Sequence, residues 1–224
     1  MSTHPLPEAV LVDMDGTLVN TEHLWHVAER ATMRFLGSEW TAEDQKFSLG
    51  GPLENVTARM QAKSGTSLSQ AEISSILLDK VEDTFRSSDV SFTAGSEQLL
   101  DDLVAAGIPL ALVSASPRRV MDCVLDIMGA EHFTTTIAGD EVERSKPDPL
   151  PYLLAAERLE VDITRCVILE DSPNGVAAGH SSGGVVVAIP DLVPIEPGDR
   201  LVVIHTLDEV TPAHLAEWLA EHTA

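Results

Sequence analysis

Four short segments of this 224-residue chain hold the side chains that could do chemistry: Asp13–Met14–Asp15–Gly16–Thr17, Ser114–Ala115–Ser116, Lys146–Pro147–Asp148–Pro149 and Glu170–Asp171–Ser172–Pro173–Asn174–Gly175. Gathered in one crevice, they would set Asp13, Asp15, Glu170 and Asp171 side by side. Two unit charges about 4 Å apart repel by about 4 kcal/mol at an effective dielectric of about 20. Four such groups cannot all stay ionised unless a cation joins them or their pKa values rise. Hard oxygen donors without thiolate or imidazole suit Mg²⁺. The same set suits phosphoryl transfer. Asp13 can attack phosphorus and form an aspartyl-phosphate. Asp15 can protonate the leaving oxygen and then activate water. Mg²⁺ and Lys146 would offset charge on the transferring oxygens, and Ser114 would donate a hydrogen bond to them. Gly16 allows a tight turn close to the phosphate.

Strands must carry these groups to one edge. Ala9 to Val12 is a short apolar run ending at Asp13, as expected of a buried parallel strand. Similar runs lie at Ile108 to Val113, Cys166 to Leu169, Val185 to Ile189 and Leu201 to Ile204. Helical patterns separate most of them. Ser96 to Ala106 carries Leu99, Leu100, Leu103 and Val104, with Gly107 just past its end. Pro117 to Met128 carries Val120, Cys123, Val124 and Ile127 before Gly129, and Pro149 to Leu159 carries Leu153, Leu154 and Leu159. Thr211–Pro212 opens a last helix with Leu215, Trp218 and Leu219 on one face. Alternating strands and helices predict a doubly wound α/β domain whose ligand crevice lies at the carboxyl ends of the strands. Residues 21–91 differ. They show helical patterns (Leu24, Val27, Ala28, Ala31, Phe35; Val56, Met60; Ile73, Ile76, Leu77, Val81, Phe85) and no convincing strand. Inserted just after the first strand, they would sit over the crevice as a cap. The expected division is therefore a discontinuous core of residues 1–20 and 92–224, with an all-helical cap of residues 21–91.

The composition narrows the partners. With 36 acidic residues against 14 basic ones, the net charge is −22. Such a surface repels nucleic acid and anionic membranes, so neither is expected as a partner. An anionic substrate would need local cations, which Lys146 and a metal would supply. Cys123 and Cys166 are far apart and form no CxxC motif, so no disulfide framework is expected and a cytoplasmic location fits. Residues 1–8 lack a signal-peptide pattern, and no apolar run approaches the roughly 20 residues that span a bilayer.

At this point the chain resembles the haloacid dehalogenase (HAD) superfamily, in particular its phosphatases with a helical cap. The resemblance rests on DMDGT, VSAS, KPDP and ILEDSPNG in the family's order and covers nearly the whole chain. It implies a Rossmann-like parallel sheet core flanked by helices. It also implies that Asp13 is the nucleophile and Asp15 the general acid/base, and that Asp13, the main-chain carbonyl of Asp15 and Asp171 bind Mg²⁺, with Glu170 beside them. The candidate phosphate-binding set is Ser114, Ala115, Lys146 and Asn174. The substrate would be a small phosphorylated metabolite, a sugar or polyol phosphate, and the enzyme a monomer. The alternative within the family is a phosphosugar mutase of the β-phosphoglucomutase type. That pattern has a histidine in the first cap helix, where this chain has Trp25. It also has a basic residue after a cap glycine, where Gly50–Gly51–Pro52–Leu53–Glu54 has none. Asn20 stands where the family pattern leads one to expect aspartate. A third reading is a binding protein that kept the fold.

Several residues have plainer readings. Ser116–Pro117 reads as the N-cap and first residue of a helix. Arg118 and Arg119 read as solvated helix-start residues, and Arg144 with Lys146 as a weak basic patch. Asn174 either touches substrate or shapes a turn. His23 is placed at the junction of cap and core, and Trp25 and Trp40 are read as cap packing. Trp25, Phe47 and Leu49 hint at an apolar pocket wall.

Overall fold

The structure, a computed structural model, describes residues 4–48, 51–190, 193–208 and 210–223. Leu49 and Gly50, assigned above to the pocket wall and the cap glycine pair, lie outside them. Strands β1 (Val10–Val12), β2 (Leu110–Val113), β3 (Thr135–Ile137), β4 (Val167–Glu170), β5 (Val185–Ala188) and β6 (Leu201–Val203) form one sheet in the order β3-β2-β1-β4-β5-β6. Every neighbouring pair is parallel. From β1 the chain builds outward through β2 and β3, then returns to place β4 on the other side of β1. The strand order thus reverses between β1 and β4, and the crevice outside their carboxyl ends is where such sheets bind ligands.

The central strands β1, β2, β4 and β5 are short, fully buried runs because both faces are covered. Val10, Val12, Leu110, Leu112, Val167 and Leu169 point into one buried cluster, which also holds Cys123. Leu11, Ala111, Val113 and Ile168 point into the other, with Cys166. The two cysteines are free thiols on opposite faces of the sheet. Helices α5 (Ser96–Ala105), α6 (Arg118–Met128), α7 (Leu150–Leu159), α8 (Pro173–Ser182) and α9 (Pro212–Thr223) belong to these layers. Two elements of these layers are not legible in the sequence. β3 is half polar and sits at the sheet edge, so its Thr135–Thr136–Ile137 run lacks the apolar signature of the other strands. α8 is rich in glycine, alanine and serine and has little amphipathic contrast, although Ser172 caps it and Pro173 starts it. The buried helix faces are also narrower than the sequence pattern predicts: Val27, Phe35, Val104, Ile127 and Leu153 are exposed.

Four helices intervene between β1 and α5: α1 (Glu22–Phe35), α2 (Ala42–Ser48), α3 (Leu53–Ser64) and α4 (Gln70–Ser87). Among the described residues of 21–91 there is no strand. The two chain segments joining this unit to the sheet pair with each other. Val19 bridges Phe92, the Asn20 amide donates to the Ser91 carbonyl (3.0 Å), and the Thr93 amide donates to the Leu18 carbonyl (2.9 Å). This neck fixes where α1 begins relative to the end of β1. Among the described residues no helix is long and apolar enough to cross a membrane.

The helical unit is held by buried polar groups as well as apolar ones. Asp44 in α2 is buried and pairs with Arg59 (2.7 Å) and Lys63 of α3. Burial would raise its pKa, but hydrogen bonds from Lys63, Thr41 and Arg59 overcome this and hold it well below the usual range. Glu29 in α1 is the opposite case. It is buried with its carboxylate accepting from Trp40 Nε1 (2.9 Å), and burial pushes it up to about 7 despite hydrogen bonds from Ser48 and Trp40. The fold thus favours protonated Glu29. Its contribution is present below the unfolded value of 4.5 and is lost as pH rises through about 7. The full loss is about 3 kcal/mol. Glu29→Gln is therefore expected to gain stability relative to the parent as pH rises from 4.5 to 7, read by urea unfolding across that range. A constant difference between the two proteins would contradict this.

Candidate active site

The end of β1 delivers Asp13 directly into the crevice, with its amide donating to the Leu169 carbonyl of β4 (3.0 Å). Beside it, β4 ends in Glu170, and Asp171 and Ser172 lead into α8. Lys146 reaches in from the loop before α7. Its ammonium donates to Asp13 Oδ1 (2.6 Å), Glu170 Oε1 (2.6 Å) and the Val113 carbonyl (2.8 Å). Asp13, Lys146 and Glu170 are all buried.

Glu170 anchors the arrangement. Its Oε1 also accepts from the Tyr152 hydroxyl (2.7 Å), and its Oε2 from the amides of Asp171 (3.2 Å) and Ser172 (3.4 Å) and the Ser172 hydroxyl (3.2 Å). A Cβ at Gly175, in the first turn of α8, would overlap the Glu170 carboxylate, so glycine lets helix and carboxylate meet.

The electrostatics show too many acids for one lysine. Burial, then repulsion from Glu170, pushes Asp13 up to about 8 against the opposing pull of Lys146. Burial, then Asp13 and Glu170, pushes Asp171 up to about 9. Burial alone would lower Lys146, but Asp13 and Glu170 raise it, so it stays an ammonium. Asp13, Glu170 and Asp171 each offer an oxygen, and these oxygens lie within 4.8 Å of one another. Three hard carboxylate donors at this spacing fit a divalent cation such as Mg²⁺.

Asp15 faces the other way, towards α1 and the loop after β2. Its Oδ1 accepts from Thr21 Oγ1 (2.6 Å) and Trp25 Nε1 (3.2 Å), and its Oδ2 from Ser116 Oγ (2.7 Å) and Ser114 Oγ (3.2 Å). Between the two aspartates and the β4 end, Gly16 adopts a left-handed conformation (φ +87°), and a Cβ there would lie 2.2 Å from Asp171 Oδ2.

Residues 10–189 match the family described as haloacid dehalogenase-like hydrolase. The chain belongs to this family. Among its relatives, the phosphorylated carbohydrates phosphatase of Thermotoga maritima is 31% identical, over 82% of this chain and 88% of that protein. A bifunctional riboflavin kinase/FMN phosphatase of Arabidopsis thaliana is 29% identical over 85% of this chain, which spans only half of that protein's length. The crystal structure of CbbY from Rhodobacter sphaeroides in complex with phosphate has a TM-score of 0.84 at 27% identity, covering 91% of this chain and 96% of that one.

Within this HAD-type site, Asp13, Lys146, Glu170 and Asp171 come together as a group, and Ser114 joins through Asp15. Ala115 is exposed, with its carbonyl packed against Gly139, and Asn174 is half-buried in the first turn of α8. Several plainer readings are corrected. Pro117, not Ser116, occupies the N-cap of α6, and the Ser116 hydroxyl binds Asp15. Arg118 and Arg119 do open α6, and Arg119 is exposed, but both are also tied down, Arg118 by Glu141 (2.6 Å), Asp122 and Thr136, and Arg119 by Asp79 (2.8 Å) and Glu82 of α4. Arg144 pairs with Asp148 (2.6 Å) while Lys146 is buried, so they form no patch. Trp25 packs, as expected, but also binds Asp15. His23 is exposed. Thr21 and Tyr152 were not singled out from the sequence. Tyr152, the chain's one tyrosine, lies in the apolar pattern of α7 as any core residue would, and nothing local marks its partner Glu170.

Proposed function

We propose that this hydrolase cleaves phosphate monoesters of small sugar- or polyol-like metabolites by way of an aspartyl-phosphate on Asp13. The observation that carries the reading is the buried Lys146 ammonium, which clamps Asp13 Oδ1 while Asp15 stands apart on the opposite, cap-facing side. One carboxylate is thereby fixed in orientation for attack and a second is set to move protons. The phosphorylated-carbohydrate phosphatase relative and the phosphate-bound CbbY neighbour support the substrate class.

In the first half-reaction a bond forms from Asp13 to phosphorus as the ester P–O bond breaks, and Asp15 gives its proton to the leaving oxygen. In the second, water attacks phosphorus, gives a proton to Asp15 and frees Asp13. Lys146 and the Ser114 hydroxyl would supply charge and a donor to the phosphoryl oxygens, and Ala115 and Asn174 are read as the other phosphate-binding residues. Asp13, Asp171 and the main-chain carbonyl of Asp15 would hold Mg²⁺. Glu170, both of whose oxygens already accept hydrogen bonds, would sit beside it and keep Lys146 in place. When bound, Mg²⁺ would screen the negative charge of the transferring group. Residues 21–91 are read as the cap that covers this crevice and selects the substrate. All these side chains come from one chain, so a monomer suffices.

Phosphate release from a panel of sugar and polyol phosphates in Mg²⁺, abolished by excess chelator, is the expected result. Activity that persists in chelator would remove the metal from the account. Isomerised hexose phosphate exceeding free phosphate would show a mutase. Trp25 on Asp15, at the position where the mutase pattern carries histidine, favours hydrolysis.

Gly16→Ala tests the crowding of this site. A side chain at φ +87° is strained and drives into the Asp171 carboxylate. The variant is expected to lose about 1–2 kcal/mol of stability and at least about tenfold in Mg²⁺-dependent turnover as Asp171 shifts. Parental activity would show that Asp171 has no fixed position to protect.

A further inference from the structure

We propose that Trp25 is a positioning residue for Asp15, so that proton transfer in the crevice depends on how α1 is seated. This rests on the acid/base reading of Asp15 given above. Asp15 is gripped from two sides. Thr21 and Trp25, at the start of α1, hold Oδ1, while Ser114 and Ser116, after β2, hold Oδ2. The three hydroxyls can rotate and can both donate and accept. The indole N–H can only donate, so it is the partner of fixed direction among the four. The indole is itself fixed. It meets Phe85 of α4 edge-on, with ring centroids 6.3 Å apart and planes at 90°, and Phe85 is fully buried. Orientation therefore passes from the buried interior of the helical unit, through one aromatic pair, to the carboxylate that moves protons.

Trp25→Phe keeps an aromatic ring against Phe85 and removes the N–H together with part of the indole, so the test must separate a lost hydrogen bond from lost packing. The test compares two esters. An alkyl phosphate has a poor leaving group that needs a proton from Asp15. p-Nitrophenyl phosphate has a phenolate that departs with little help. In Trp25→Phe, kcat/KM for the alkyl phosphate is expected to fall about tenfold and that for p-nitrophenyl phosphate far less. The ratio between the two esters does not depend on how much of the variant is folded. In an Asp15→Asn background assayed with p-nitrophenyl phosphate, adding Trp25→Phe is expected to cause no further loss. Equal losses on both esters, or a further loss on p-nitrophenyl phosphate when Trp25→Phe is added to Asp15→Asn, would overturn the proposal and leave Trp25 as packing. Failure of the parent protein to hydrolyse either ester would instead contradict the proposed function.

Discussion

Asp13→Asn is expected to lower phosphate release by about a thousandfold or more and to leave the protein at least as stable as the parent. The loss follows from the chemistry, because a carboxamide cannot take the phosphoryl group as a carboxylate does. The stability follows from the surroundings. Asparagine keeps an oxygen in reach of Lys146 Nζ, now 2.6 Å from Asp13 Oδ1. It also removes one of the negative charges that push Asp171 up to about 9. Thermal unfolding and phosphate release on the same preparation separate the two effects. An inactive variant that is also unfolded would assign Asp13 to the scaffold, and an active one would move the nucleophile elsewhere.

Lys146→Met is expected to damage the fold as well as the reaction. Methionine keeps most of the stem and removes the ammonium, leaving Asp13 and Glu170 buried without their common counter-charge. Removing one partner of a buried ion pair costs about 3–5 kcal/mol. The deficit is expected to be largest at neutral and alkaline pH. It should shrink in acid, where Asp13, whose pKa burial already raises, can take up a proton. Urea unfolding of parent and variant from mildly acidic to alkaline pH reads this directly. A loss of activity with unchanged stability at every pH would mean that Lys146 serves the substrate alone and that Glu170 needs no partner.

The site was far more legible than its surroundings, for physical reasons. Asp13, Asp15, Lys146 and the Glu170–Asp171 pair lie at strand ends or in turns, where charged residues interrupt apolar runs and stand out. Five of the six strands announce themselves as apolar runs, but β3 does not, because an edge strand carrying two threonines has no need of two apolar faces. α8 was hidden by small residues that the sheet requires: at Gly179 a Cβ would crowd Val186 and Ile168. The supports of the site were harder still. Ser116 looks like any helix-capping serine and Trp25 like any cap aromatic, and only the fold shows both turned towards Asp15. Arg119 is exposed, as the sequence suggests, but its partners, Asp79 and Glu82, are some 40 residues away in α4, and no local pattern joins them.

The proposed reaction requires Asp13 to become phosphorylated. The most direct measurement is acid quenching of the enzyme during turnover of a substrate identified by the panel, followed by peptide mass spectrometry. A phosphoryl group on the peptide bearing Asp13, located at Asp13 and absent from Asp13→Asn, is the expected result. Phosphate release at the parental rate with no phosphopeptide at any quench time, or with the group on another residue, would contradict it.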